Sequence, residues 1–233
     1  MAHSSAAASG RNNNSTDPRV FYDPFNDPNK ASVLAAVSEN RLEQCSAFSV
    51  AGPSNIASMA SITGGALAFL TLFAAAALAI SVNLAHSGGA VIALQGFAFP
   101  SFIVINICTA YAMISGHNTI QVFFMRLFGG SPVLTLNEAY IFTWMAPQQG
   151  YSRKAYIAIL LAPFATALII WLMCLLLLPM FAGYLLAPLA VSAALLGPDA
   201  WLAAAANKTE PSAAVFAIQG KAFIAYRAGA AAK

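Results

Sequence analysis

Two residues stand out for the chemistry they could perform. His117 follows Gly116 where a long apolar stretch ends, and Asp199 sits in Gly197-Pro198-Asp199-Ala200-Trp201 near the end of another. An imidazole and a carboxylate that meet near a membrane face could ligate a metal, pass a proton, or make a polar contact. A buried carboxylate is costly unless paired, so chemistry alone favours the polar contact. The other polar residues in the apolar stretches are Asn83, His86, Asn106, Asn118 and Gln121. Asn83 and Asn106 read as hydrogen-bonders between helices rather than ligands. His86 reads as a water-facing histidine in a hairpin tip. His117 alone could be an axial ligand to a chlorophyll or haem. A second ligand from His86 is excluded, because a helix of about 25 residues at ~1.5 Å per residue separates the two.

The elements that must position these residues follow from where charge is missing. Of 233 residues, 59% are hydrophobic and only 8% charged, with 8 acids and 11 bases. A soluble domain carries about 25% charge, so lipid is the expected solvent for most of the chain. A nucleic-acid binder and a disordered protein are excluded on the same ground, and a net charge of +3 calls for no polyanionic partner. No charged side chain occurs for 82 residues between Glu43 and Arg126, nor for 44 between Lys154 and Asp199. A spanning helix needs about 20 apolar residues, so each gap holds two. The expected fold is an all-α membrane protein with spans at about 59–85, 91–116, 155–178 and 180–206. His86-Ser87-Gly88-Gly89 breaks the first pair and Pro179 the second. A bend is expected near Pro100, and Pro163 and Pro188 fall inside the last two spans, where neighbouring helices can satisfy the freed carbonyls.

With four spans, the two hairpin tips face one side and carry no Lys or Arg. All 11 bases fall on the other: Arg11, Arg19, Lys30 and Arg41 in the N-terminal segment, Arg126, Arg153 and Lys154 in the middle loop, and Lys208, Lys221, Arg227 and Lys233 in the tail. The positive-inside bias makes that side, with both termini, cytoplasmic or its matrix or stromal equivalent. The sequons at Asn13, Asn14 and Asn207 then face the cytoplasm and stay unused. Cys45, Cys108 and Cys174 are scattered and odd in number, indicating neither a disulfide framework nor a thiolate metal site.

Outside the spans, residues 1–55 read as an extended polar arm without a secretory signal, with Ala31–Glu43 able to form one short amphipathic helix. Residues 56–206 form the four-helix domain. Its 117–154 loop carries two β-prone runs, Val133–Leu136 and Ala139–Met145, separated by Asn137-Glu138 and suggesting a hairpin at the membrane face. Tyr151, Arg153, Lys154 and Tyr156 before the third span, and Trp201 in the fourth, read as interfacial anchors. Residues 207–233 are the C-terminal tail.

Several stretches taken in order resemble the site-2-protease-like integral-membrane zincin peptidases. They are GHNTIQ (116–121), VLTLNEAYIFTWM (133–145), YSRKAYIAILLAPF (151–164) and GPDAW (197–201), with PSAAVFAIQGKAFIAYR (211–227) similar to a closing strand pair. The resemblance covers residues 100–227. It implies a zinc motif His-Glu-x-x-His: two histidines four apart on one helix, a third ligand, and a glutamate that activates the metal-bound water. His117 stands at the first histidine. Asn118 replaces the glutamate and cannot take a proton from water. Gln121 replaces the second histidine with a neutral amide, a poor zinc ligand. Asp199 can keep the third position. These four are vestigial metal-site positions, with no catalytic residue and no required metal.

The leading expectation is therefore a non-catalytic accessory subunit of a multi-subunit membrane complex of respiratory or photosynthetic type, a pseudoenzyme on a metalloprotease-like scaffold. Its partners would be other membrane subunits, met through the arm and the Ala/Gly-rich helices, together with bound lipid and no nucleic acid. The alternatives are a residual membrane zinc metalloprotease and a subunit binding pigment, haem or lipid. A transporter is disfavoured, because four spans without a repeat and almost without intramembrane charge offer no ion path.

Overall fold

The computed structural model describes residues 42–50, 55–87, 98–130, 132–136, 142–145, 150–218 and 222–228. Strand β1 (Leu42–Ser49) precedes helices α1 (Asn55–Ser87) and α2 (Ala98–Leu127). Strands β2 (Val133–Leu136), β3 (Phe142–Met145) and β4 (Tyr151–Ser152) lead into α3 (Arg153–Leu177). A 3-10 helix (Pro179–Leu185), α4 (Leu186–Asn207), β5 (Ala214–Ile218) and β6 (Ala222–Ala228) complete the order. Four helical segments are long and apolar enough to cross a membrane: Asn55–His86, Phe99–Leu127, Arg153–Leu177 and Phe181–Asn207. The molecule is thus a mostly helical, multi-pass membrane protein. Its spans expose Phe69, Phe73, Ile107, Leu176 and other large apolar side chains, as lipid contact requires.

The four spans stand with more β-structure than the short segment expected: a four-stranded antiparallel sheet in the order β1-β6-β5-β4, whose β5 and β6 fall in the stretch read as a closing strand pair. Leu42 and Glu43, assigned to an amphipathic helix, instead pair with Ala228 and Arg227; the remainder of that segment and the arm before it lie outside the described residues. The alternation Cys45-Ser46-Ala47-Phe48 and the β-prone run Ala222–Tyr226 suit a sheet better than a helix. A separate hairpin pairs β2 with β3, placing Leu134 opposite Trp144.

The second span is also corrected. It begins at Ala98, with residues 91–97 outside the described ones, and continues eleven positions beyond Gly116 to Leu127. Gly116 does not stop it, because Ile120, Val122, Phe123, Phe124 and Met125 continue the apolar run. The stop is Gly129-Gly130, where Gly129 adopts φ 84°, a left-handed conformation suited to glycine, and Gly130 N–H donates to Met125 O at 2.8 Å. Pro100 lies in the first described turn of α2 and Pro188 in the first turn of α4, where proline removes no intrahelical bond. The fourth span opens as 3-10 helix after Pro179. Carbonyls there receive side-chain donors: Asn83 donates to Pro179 O at 3.0 Å and Trp171 to Ala182 O at 3.2 Å. Asn106 likewise accepts from Ala187 N–H at 3.4 Å, so both asparagines join elements as expected. His86 lies exposed in the last turn of α1, its Nδ1 3.1 Å from Val82 O, rather than in a loop.

α1 and α4 meet backbone to backbone. A Cβ on Gly64 would strike the carbonyl of Ala194, and one on Gly197 would come within 2.5 Å of Ala60 O and Gly64 N. Small residues permit such an approach where no hydrophobic effect drives helices together. The main core lies where the spans meet the sheet, joining Val122 and Met125 of α2, Tyr156, Ile159 and Leu160 of α3, Leu202 of α4, and Val215 and Phe223 of the sheet.

Candidate functional site

The extension of α2 past Gly116 decides the site. It places His117 and Gln121 four apart on one helical face, one turn above the other. α4, held against α1 by the glycine contact, presents Asp199 from the other side. Exposure is 6% for His117, 2% for Gln121 and 4% for Asp199, so the cluster is sealed from solvent by its own neighbours. His117 Nε2 stands 3.0 Å from Asp199 Oδ2, Gln121 Nε2 stands 2.9 Å from the same oxygen, and the two nitrogens are 3.3 Å apart. Asn118, next on the helix, is half-buried.

The proton arrangement follows from what each group can offer. With Asp199 ionised its carboxylate only accepts, so in the Nε2–H tautomer His117, like the Gln121 amide N–H, donates to Asp199 Oδ2. The 3.3 Å approach is then a contact between two donors, not a hydrogen bond. Turning the Gln121 amide over would set its oxygen against the carboxylate, so Asp199 fixes the amide's orientation. His117 Nδ1 is left as a bare, buried nitrogen with no hydrogen-bond partner among the described residues, as is the Tyr156 hydroxyl of α3.

These residues do not fit a catalytic zinc. His117 can offer one imidazole lone pair once its Nε2 proton is displaced, and Asp199 one carboxylate oxygen. The second nitrogen is an amide, and an amide N–H₂ is no ligand. A ligating histidine normally donates its other N–H to an orienting partner, and His117 Nδ1 has none among the described residues. No group of three or more His, Cys, Asp or Glu able to hold a metal occurs among the described residues.

Of the expected positions, three converge, and Asn118 is adjacent in sequence. Most of the residues expected as interfacial anchors have protein partners in the fold. Tyr151 and Tyr156, 3% and 1% exposed, belong to the core beneath the sheet, because β4 and the first turn of α3 are covered by β5 and β6. Lys154 is exposed. Arg153 reaches across to α4, donating from Nη1 to Asn207 O at 3.2 Å and Thr209 O at 3.0 Å, the negative end of that helix dipole. Trp201 donates to Thr63 Oγ1 at 3.1 Å and so ties α4 to α1. Sequence reading missed these ties because tyrosine and arginine before a span carry the same signal whether they face headgroups or a covering sheet.

Residues 110–214 match a family model described as "Putative zincin peptidase". The stretch runs from the second half of α2 through the hairpin, α3 and α4 to the first residue of β5, and so contains His117, Asn118, Gln121 and Asp199. The class is the one the sequence motifs indicate, and over these residues the chain is similar to it. No curated protein and no solved structure was found to match.

Proposed function

We propose that this chain is a non-catalytic accessory subunit of a multi-subunit membrane complex of respiratory or photosynthetic type, built on a zincin-like frame that no longer hydrolyses. The observation carrying the reading is the donor set at the α2–α4 contact. Asn118 stands where a base is needed, Gln121 where a ligand is needed, and the one carboxylate is consumed by two hydrogen bonds. What remains can join helices but cannot activate water. The helices that expose large apolar faces, and the small residues Gly65 and Gly116 with open space above them, offer surfaces for neighbouring subunits and lipid. The sheet side carries the basic residues and is read as the cytoplasmic side or its equivalent, with both termini on it. Purification from the native membrane in mild detergent tests the reading: the chain should elute with partners, and a monodisperse lone monomer contradicts it.

One observation favours a second reading, a residual zinc hydrolase. The three polar atoms are 2.9–3.3 Å apart, near the ~3.3 Å that ligands of one tetrahedral zinc keep. Elemental analysis separates the two, since that reading needs about one equivalent of zinc per chain. A haem or pigment at His117 would have to use Nδ1, because Nε2 donates to Asp199; an isolated subunit without a Soret or Qy band removes it.

A further inference from the structure

We infer that Gln121 has taken over the mechanical task that a metal bridging α2 and α4 would perform, and that the surrounding helices keep the dimensions of a metal site, so that this one amide separates the chain from a zinc binder. The inference rests on the non-hydrolytic reading above. Among the described residues, polar ties join α2 to α4 at opposite ends of their contact. One is Asn106 to Ala187 N–H; the other is the Asp199 cluster. The second is buried to at least nine-tenths at each residue, where an unpaired carboxylate would be costly. Gln121 supplies a neutral donor in the place of a cation. The Nε2 atoms of glutamine and histidine are each about four bonds from Cα, so a histidine at position 121 sets its ring nitrogen close to the present amide nitrogen. That nitrogen would then stand with His117 Nε2 and Asp199 Oδ2 at separations suited to one tetrahedral zinc, the imidazoles giving lone pairs as zinc displaces their Nε2 protons. Asn118 stands at the position of a water-activating base rather than of a ligand, so it needs no change for metal to bind.

The test compares full-length protein in mild detergent with Gln121→His, Gln121→His/Asp199→Ala and Gln121→Glu. Each is exposed to zinc, desalted and analysed for bound metal, and melted with and without a chelator. The wild-type chain should hold less than about a tenth of an equivalent and melt identically with chelator. Gln121→His should bind about one equivalent, lose it with Asp199→Ala, and melt earlier once chelated. Gln121→Glu sets a second carboxylate against Asp199, so it should melt earlier than wild type and be rescued by added zinc. A folded Gln121→His that binds no zinc, or a Gln121→Glu that zinc fails to rescue, overturns the inference. So does a wild-type chain that already binds an equivalent, which overturns the non-hydrolytic reading with it. Isolation of wild type as a lone, zinc-free monomer would remove the accessory-subunit reading and leave this inference standing.

Discussion

Asp199 is the acceptor on which α2 and α4 converge, and its loss removes the acceptor that His117 and Gln121 share. Losing a buried hydrogen bond to a charged group costs about 1–3 kcal/mol. Asp199→Ala should therefore lower the unfolding midpoint in detergent, or the yield of assembled complex, without changing any turnover. Asp199→Asn should fall between, since its oxygen still accepts while its N–H₂ meets His117 and Gln121. Loss of an assayable hydrolysis by Asp199→Ala with assembly intact would contradict this account. The residues of the cluster were legible from their order along the chain, since polar groups in an apolar stretch are few. That Gln121 is a donor to Asp199, rather than an inert replacement, was not. It depends on α2 continuing past Gly116, and a glycine followed by His-Asn-Thr reads as a terminus until the apolar residues from Ile120 onward are weighed.

At the level of elements, the α1–α4 contact is the most sensitive to change. Gly64→Ala would drive a methyl group into the backbone of Ala194, and neither helix has a flexible side chain there to yield. Overpacking of this kind costs about 1–3 kcal/mol. Gly65→Ala, one residue away with open space above it, should be neutral in the same melting experiment, so equal loss in both variants would show that the contact is not as described. The spans themselves could be read from charge gaps because lipid imposes one requirement on length and polarity. Their precise ends were less legible, since the run of α2 past Gly116 turns on the apolar residues from Ile120, and the 3-10 opening at Pro179 on carbonyls that find side-chain donors. The sheet was hardest to foresee: β1 and β6 are separated by most of the chain, and their pairing carries no local sequence signal beyond alternation.

For the whole molecule, that sheet ties the strand before α1 to the strands after α4. Arg227 of β6 reaches Glu43 of β1 at 3.1 Å and Glu210 of the loop after α4 at 2.8 Å; hydrogen bonding to Glu43, then the charge of both glutamates, pushes its pKa up. These groups are exposed, so the ion pairs add little and weaken with salt. Burial matters more at the tyrosines. Tyr151 and Tyr226 have pKa values pushed up from 10.0 by desolvation. The folded state thus holds their protons where the unfolded chain releases them. Stability should be unaffected by these groups below pH 10 and fall as pH rises beyond it. Tyr151→Phe should flatten that alkaline limb in a melt followed by circular dichroism; an unchanged limb in both Tyr151→Phe and Tyr226→Phe would contradict the burial of these side chains.

The central claim is that a zincin-like frame here serves assembly rather than hydrolysis. Native mass spectrometry of the chain extracted from its own membrane in mild detergent tests this most directly, because one spectrum reports both partners and metal. The account predicts this chain bound to other membrane subunits and carrying no zinc. A single chain of its own mass plus one zinc ion would contradict it.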